Sequence, residues 1–255
     1  MGEAQIQVLD ELTADQIAAG EVVERPGSVV KELIENSLDS GASRIQLDID
    51  AGGRSRIRVL DNGSGIPADQ VALAFQRHAT SKIHRLDDLD SIATHGFRGE
   101  ALPSIASVSK LTIRTRTADA VAGTMLLMEG GKIVSQREVG CPVGTEVEVR
   151  DLFFNTPARL KFLKRESTEG GHASEALVRL AAFRPDVAFA MTSNGRKTRD
   201  LPRVEKIEER IAAMFSNETL VRSHGTDHGI EVFAVLGPPE RARAGAGSLS
   251  TSVNG

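Results

Sequence analysis

At residues 60–66 the sequence reads LDNGSGI, an aspartate and an asparagine with two glycines beside them. Asp61 followed by Asn-Gly-x-Gly is first of all a turn signal. Its place matters more: it leaves a predicted strand on the side of a predicted helix, and the glycines let a ligand approach the backbone. A carboxylate there could accept the exocyclic amine of adenine. Further on, HGFRGEALPSIASVS, residues 95–109, sets Gly96 and Gly99 around Phe97 and Arg98 ahead of a helix predicted from near Glu100. Backbone N–H groups at such a helix start form a cradle for phosphates, although a plain loop leading into a helix accounts for one glycine pair equally well. RHATSK, residues 77–82, supplies hydroxyl and ammonium groups between the two loops, and PVGTEVEV brings Gly144 and Thr145 to a strand start.

A third group sits in KELIENSLDSG, residues 31–41. At helical spacing Glu32 and Asn36 project from one face, with Asp39 and Ser40 about a turn beyond and Glu35 about 100° off that line. On this segment alone an amphipathic helix, with Val29, Val30, Leu33, Ile34 and Leu38 inward and a solvated polar side, explains the pattern. Taken with Asp61, Thr145 and the glycine-rich loop, the polar side becomes part of one nucleotide site. Neither G-x-x-x-x-G-K-[ST] nor G-x-G-x-x-G occurs, so such a site must use a different fold from those motifs.

The elements that must position these residues follow from pattern. Thr13 caps a short predicted helix that Pro26 and Gly27 end, and Ser28 caps the next, which runs to Gly41. RIQLDIDAGGRSRIRVLDNG alternates apolar and polar about a Gly-Gly turn, the mark of a hairpin with one buried face. Helices are predicted over 68–78, 86–93, 157–163 and 172–184, and strands in KLTIRTRT, GTMLLMEGGKIVSQREVG and GTEVEVRDL. HGTDHG near residue 224 reads as a loop. The layering is α+β, helices on one face of a mixed, mainly antiparallel sheet. Near Pro202 the pattern resets to a helix, KIEERIAAMF, and a strand, IEVFAVLG, so domains are expected over 1–203 and 204–255, the second incomplete.

Composition narrows the class. The chain has 255 residues, 40% hydrophobic and 26% charged, with a net charge of −4, as in an ordinary globular protein. No apolar run would span a bilayer and the start is too polar for a secretory signal, which points to the cytoplasm. Cys141 is the only cysteine, excluding an internal disulfide, and the histidines show no zinc pairing. Residues 150–210 hold 13 Lys and Arg against 9 Asp and Glu. That local excess is as compatible with a solvated surface as with a basic face.

ELIENSLDSGA, DNGSGI, GFRGEAL and GT resemble, in order and spacing, the nucleotide-binding motifs of the GHKL ATPases, which include type II topoisomerases, ninety-class heat-shock chaperones and histidine kinases. Within that group QIAAGEVVERP, RHATSKI, GFRGEALPSIASVS and DLFFNTPARLKFLK are similar to the MutL family of DNA mismatch repair. The likeness is dense over residues 5–205. It implies a Bergerat-type sandwich followed by part of a smaller, transducer-like α/β domain of ribosomal-protein βαβ type. It makes Glu32 the general base, Asn36 the Mg²⁺ ligand, Asp61 the adenine reader with Gly65 beside it, and Thr145 a neighbour of the base. Thr80, Lys82, Gly96, Phe97, Arg98, Gly99, Glu100, Ala101 and Leu102 fall in the phosphate-covering lid.

The implied activity is slow, Mg²⁺-dependent ATP hydrolysis that closes the lid and drives homodimerisation. The implied partners are the mismatch-recognition protein MutS, a downstream endonuclease and helicase, and DNA bound weakly without sequence preference. The alternative is an ATP-binding interaction module without turnover, in which a carboxylate at the water position has no purpose. Another GHKL role, in a topoisomerase or kinase, lacks support because NTPARLKFL has no counterpart there. Two departures stand out: Ser252 occupies a position before VNG where the family has an aromatic residue, and the second-domain lysine that approaches the γ-phosphate is absent.

Overall fold

A computed structural model describes residues 19–20, 22–80, 99–214, 221–228, 230–237 and 251. Helix α1 (Pro26–Asp39) leads into a hairpin of β1 (Arg44–Asp50) and β2 (Arg56–Asp61), and α2 (Ala101–Ser107) precedes β3 (Lys110–Arg116), β4 (Gly123–Glu129), β5 (Lys132–Val139) and β6 (Gly144–Arg150). Then come α3 (Pro157–Phe162), α4 (Glu166–Ala182), the hairpin β7 (Ala188–Ser193) and β8 (Arg196–Leu201), α5 (Ile207–Met214), and a second hairpin, β9 (Val221–Asp227) with β10 (Ile230–Leu236).

Strands β1 to β8 form one sheet in the order β5-β4-β3-β6-β2-β1-β7-β8. Its pairings are antiparallel except β1 with β7, so the α+β, mainly antiparallel expectation holds. Period-two alternation sends Ile45, Leu47 and Ile49, Ile57 and Val59, Val147 and Val149, and Leu111 and Ile113 to one buried face. Helices α1, α2 and α4 pack on that face, and it holds the core.

The opposite face is ionic. Arg58 donates to Asp48 at 2.8 Å and to Glu146 at 2.5 Å, Arg114 reaches the other Glu146 oxygen at 2.5 Å, and Arg56 pairs with Asp50 at 2.7 Å. Burial alone would raise the Glu146 carboxyl, but the two guanidiniums hold it below the usual carboxylate range.

Several boundaries differ from expectation. Pro26 opens α1 as its first residue, with extended Arg25 before it, and does not close a preceding helix. A missing N–H costs nothing in the first turn, and φ is already helical there. Segment 68–78 is turns with a single 3₁₀ turn, Leu73–Phe75. Its apolar anchors, Val71 and Phe75, are buried one turn apart, and His78 at φ 62° bends the chain away, so the helical spacing serves one turn only. Helix α4 begins at Glu166, before the expected residue 172. Residues 224–227, expected within the HGTDHG loop, belong to β9, because β10 supplies its backbone partners from Val221 to Asp227. The expected cap Thr13 and the helix over 86–93 lie outside the described residues.

Helix α5 is fastened to the first sheet by Arg210, which is fully buried. Its Nη2 donates to the carbonyls of Arg184 at 3.3 Å, Pro185 at 3.4 Å and Val187, and its guanidinium lies 5.7 Å from the centre of the Phe189 ring. Arg210→Ala strips the α4–β7 turn of these donors and is expected to lower unfolding free energy by about 1–3 kcal/mol in urea titrations. The exposed change Lys197→Ala should stay within about 0.5 kcal/mol of wild type, and equal effects would mean that Arg210 fastens nothing.

Candidate functional site

Three side-chain rows cross the covered face in register. Ile49, Ile57, Val149 and Leu111 form one, and Leu47, Val59, Val147 and Ile113 the next. The third is Ile45, Asp61, Thr145 and Thr115. Apolar chemistry thus gives way to polar at the end of β2, still beneath the helices.

Asp61 is 7% exposed, and protein donors surround it. Its Oδ1 accepts the N–H of Gly63 at 2.9 Å and of Thr145 at 3.2 Å, and its Oδ2 accepts the Ser37 hydroxyl at 2.8 Å. Burial pushes the Asp61 carboxyl above its ordinary value, against the pull of those three donors. Thr115 ties the row together. Its hydroxyl donates to the Gly144 carbonyl at 3.0 Å, accepts the Ile66 N–H at 2.9 Å, and lies 3.0 Å from the Thr145 hydroxyl. Neither Ser37 nor Thr115 was among the expected site residues. Ser37 is buried and stands inside ELIENSLDSGA beside Asn36 without a role assigned to it there, and Thr115 continues the Leu111, Ile113 alternation, so each had a positional signal only.

Glu32 and Asn36 lie on α1 as expected. Lys31 bridges two acids there, with its Nζ 3.6 Å from Glu32 and 3.2 Å from Glu35. Glu35 is the more buried, at 6% exposure. Gly65 has φ 72°, and a Cβ there would fall 2.2 Å from the Arg116 carbonyl oxygen, so only glycine fits. Gly99 at φ 63° is equally constrained, because a Cβ would meet the Ala79 oxygen at 2.5 Å. This contact brings the RHAT segment, with Thr80, against the start of α2, and His78 Nδ1 lies 3.6 Å from Glu100. Ala101 and Leu102 begin α2 behind Glu100. Lys82, Gly96, Phe97 and Arg98 lie outside the described residues.

The structure therefore brings Asp61, Thr145 and the α1 polar side together through Ser37, and Thr80 to the base of the glycine-rich loop through Ala79 and Gly99. A broad cleft of about 490 Å³ lies elsewhere, between Gly52, Arg165 to Ser167, Gly170, Ser193 and Asn194. None of the expected nucleotide residues lines it, and size alone does not make it the site. Of the basic residues after β6, Arg159 is half-buried, and a Cβ on Gly20 would meet its guanidinium at 2.0 Å. Lys161, Lys164 and Arg165 are exposed. Among the described residues no helix is long and apolar enough to cross a membrane.

Comparison with known proteins bears on the fold and the family. Residues 24–140 match the family described as histidine kinase-, DNA gyrase B- and HSP90-like ATPase. The DNA mismatch repair protein MutL of Syntrophotalea carbinolica is 48% identical over 98% of the chain and 41% of its own length. That of Desulforamulus reducens is 55% identical over 83% of the chain and 33% of its own length. Among solved structures, the Aquifex aeolicus MutL ATPase domain complexed with ADP superposes with a TM-score of 0.64 at 38% identity, covering 80% of this chain and 73% of that one. The chain thus spans about two-fifths or less of the length of these curated relatives.

The raised Asp61 carboxyl gives a pH-linked expectation. A folded-state value above the unfolded one means that ionisation opposes folding, so this group's contribution to stability improves as pH falls through the raised value and is lost above it. Asp61→Asn, isosteric and uncharged, should therefore raise the melting temperature of the ligand-free protein near neutral pH while abolishing any thermal shift on addition of ATP. A variant that melts lower yet still responds to nucleotide would remove Asp61 from the site.

Proposed function

Because the chain belongs to the MutL family of DNA mismatch-repair proteins, we propose that it binds ATP with Mg²⁺ and hydrolyses it slowly, as a switch within a repair complex. The observation that carries this reading is the buried Asp61 carboxylate, held by Ser37, Gly63 and Thr145 at the polar end of otherwise apolar rows. Protein donors fill Oδ1 with two bonds and Oδ2 with one, so a lone pair of Oδ2 is left to accept a further donor. The amino group of adenine is such a donor, whereas guanine would present a carbonyl to the same lone pairs.

The remaining roles follow from donor chemistry. Asn36 offers an amide oxygen of the hard kind that Mg²⁺ takes, and bound Mg²⁺ would neutralise phosphate charge. Glu32, one turn away on α1, orients the attacking water and accepts its proton. Gly65 admits the base close to the backbone and Thr145 lies beside it. Thr80 and Lys82, with Gly96 through Leu102, cover the phosphates, and closure of that lid couples nucleotide to dimerisation.

At the level of the whole protein, the reading places this ATPase between a mismatch-recognition partner of the MutS kind and a downstream endonuclease and helicase, in the cytoplasm. The exposed cations Lys161, Lys164 and Arg165 support weak DNA binding through phosphate contacts. The division into an ATP-binding domain over 1–203 and the start of a second over 204–255 is part of the same proposal. The separate hairpin β9–β10 supports it, and α5, fastened by Arg210, is the joint between the two.

Two substitutions test the assignment. Glu32→Ala should bind ATP about as well as wild type yet lose about 10²–10⁴-fold in single-turnover hydrolysis, whereas Asn36→Ala should weaken both. ATP should bind at least about tenfold more tightly than GTP, since an unpaired buried acceptor costs about 1–3 kcal/mol. Undiminished hydrolysis by Glu32→Ala would leave a nucleotide-binding module in place of an enzyme, and equal ATP and GTP affinities would remove the adenine reading.

A further inference from the structure

Thr115, at the end of the polar row, is 1% exposed and too deeply buried to meet a ligand itself. It follows Leu111 and Ile113 on β3, where a valine would bury as well and bring no polar group to satisfy. The hydroxyl it carries instead has three neighbours: the Ile66 N–H at 2.9 Å, the Gly144 carbonyl at 3.0 Å and the Thr145 hydroxyl at 3.0 Å. The first can only donate and the second can only accept. Thr115 has one proton, and it must lie toward Gly144, since two bare oxygens would otherwise face each other at that distance. The Thr145 hydroxyl is then the donor to Thr115.

Thr145 is thereby restricted to accepting. With its one proton committed to Thr115, the half-buried hydroxyl has only lone pairs left beside Asp61, whose Oδ2 has one to spare beyond the bond from Ser37. The Thr145 N–H is spent as well, on Asp61 Oδ1 at 3.2 Å. Two adjacent acceptors match a group that carries two N–H bonds, as an exocyclic amine does. The end of β3 also holds the backbone around them. Arg116 Nε donates to the Cys141 carbonyl at 2.7 Å and its Nη1 to the Ala120 carbonyl at 3.0 Å, while the Ile66 bond ties the turn after β2 to the same strand end.

We propose that Thr115 is a positioning residue for base selection: it takes the Thr145 proton and so keeps Thr145 an acceptor toward the base. The inference rests on the adenine reading of Asp61 above and adds a residue that acts through another. A 6-oxo purine turns a carbonyl toward the two acceptors and is repelled by both. Without the Thr115 hydroxyl, that of Thr145 is free to rotate and give its proton to the carbonyl, so discrimination falls.

Dissociation constants of ATP and of ITP, its 6-oxo counterpart, are measured by calorimetry with Mg²⁺ for wild type, Thr115→Val, Thr115→Ser and Thr145→Val, with melting temperatures alongside. Wild type should favour ATP by about tenfold or more. Thr115→Val should narrow that ratio by about threefold or more, through tighter ITP binding as well as weaker ATP binding, and Thr115→Ser should restore it to within about twofold. A threonine that merely supports the fold would shift both nucleotides equally, and an unchanged ratio in Thr115→Val would overturn the proposal. Thr145→Val covers the case in which Thr115→Val does not fold. Removing an acceptor should weaken ATP and strengthen ITP, whereas a loss on ITP would mean that Thr145 donates to the base and that Thr115 does not hold its proton. Equal ATP and ITP affinities in wild type would instead remove the adenine reading itself, and this inference with it.

Discussion

The buried carboxylate of Asp61 is the constraint around which this fold is arranged. A charge at 7% exposure is expensive unless hydrogen-bonded, and its three donors come from separate parts of the chain: Ser37 from α1, Gly63 from the loop after β2, and Thr145 from β6. Each fixes an element. The Ser37 bond sets α1 along the end of β2, the Gly63 bond turns the chain back on itself, and the Thr145 bond requires β6 to begin opposite Asp61. Those elements carry the other candidate residues, so satisfying one acceptor also places Glu32, Asn36 and Gly65.

Register is what makes that possible, and the open face of the sheet enforces it. A one-residue slip of β6 would turn Thr145 to the open face and Glu146 into the core. Glu146 resists this because Arg58 on β2 and Arg114 on β3 hold both its oxygens. These residues are half-buried, with side-chain exposures of 23%, 37% and 17% for Arg58, Arg114 and Glu146, so their net contribution to stability is small. Their value is in specificity: the favoured ionic pairing on one face is the pairing that sets Asp61 beside Thr145 on the other.

Much of this could be read from residue order. The α+β layering and the mainly antiparallel sheet followed from alternation about the Gly-Gly turns, and Asp61 and Thr145 stood out because glycines flank them. What escaped the sequence depends on partners distant along the chain. Ser37 looked like one more polar residue on a helix until β2 was placed against it, and Thr115 looked like ordinary strand alternation until its row was known. Strand β9 was hidden because VRSHGTD has little strand character without β10 alongside. Segment 68–78 misled in the other direction, since the spacing of Val71 and Phe75 is the same for one turn as for three.

Helix α1 shows how one element meets two opposed demands. Its inward stripe of Val29, Val30, Leu33, Ile34 and Leu38 is buried, which secures the helix independently of any ligand. The polar side is then free to hold groups that cost stability. Glu35, the most buried acid of this helix, has Lys31 one turn before it at 3.2 Å, and the same ammonium lies 3.6 Å from Glu32. One lysine therefore offsets the mutual repulsion of two carboxylates that would otherwise oppose each other on adjacent turns. The acids leave Lys31 more basic than usual, even though its own burial works the other way. The polar side of this helix is thus consistent with folding, because its two glutamates share one counter-charge and Ser37 meets Asp61 on β2.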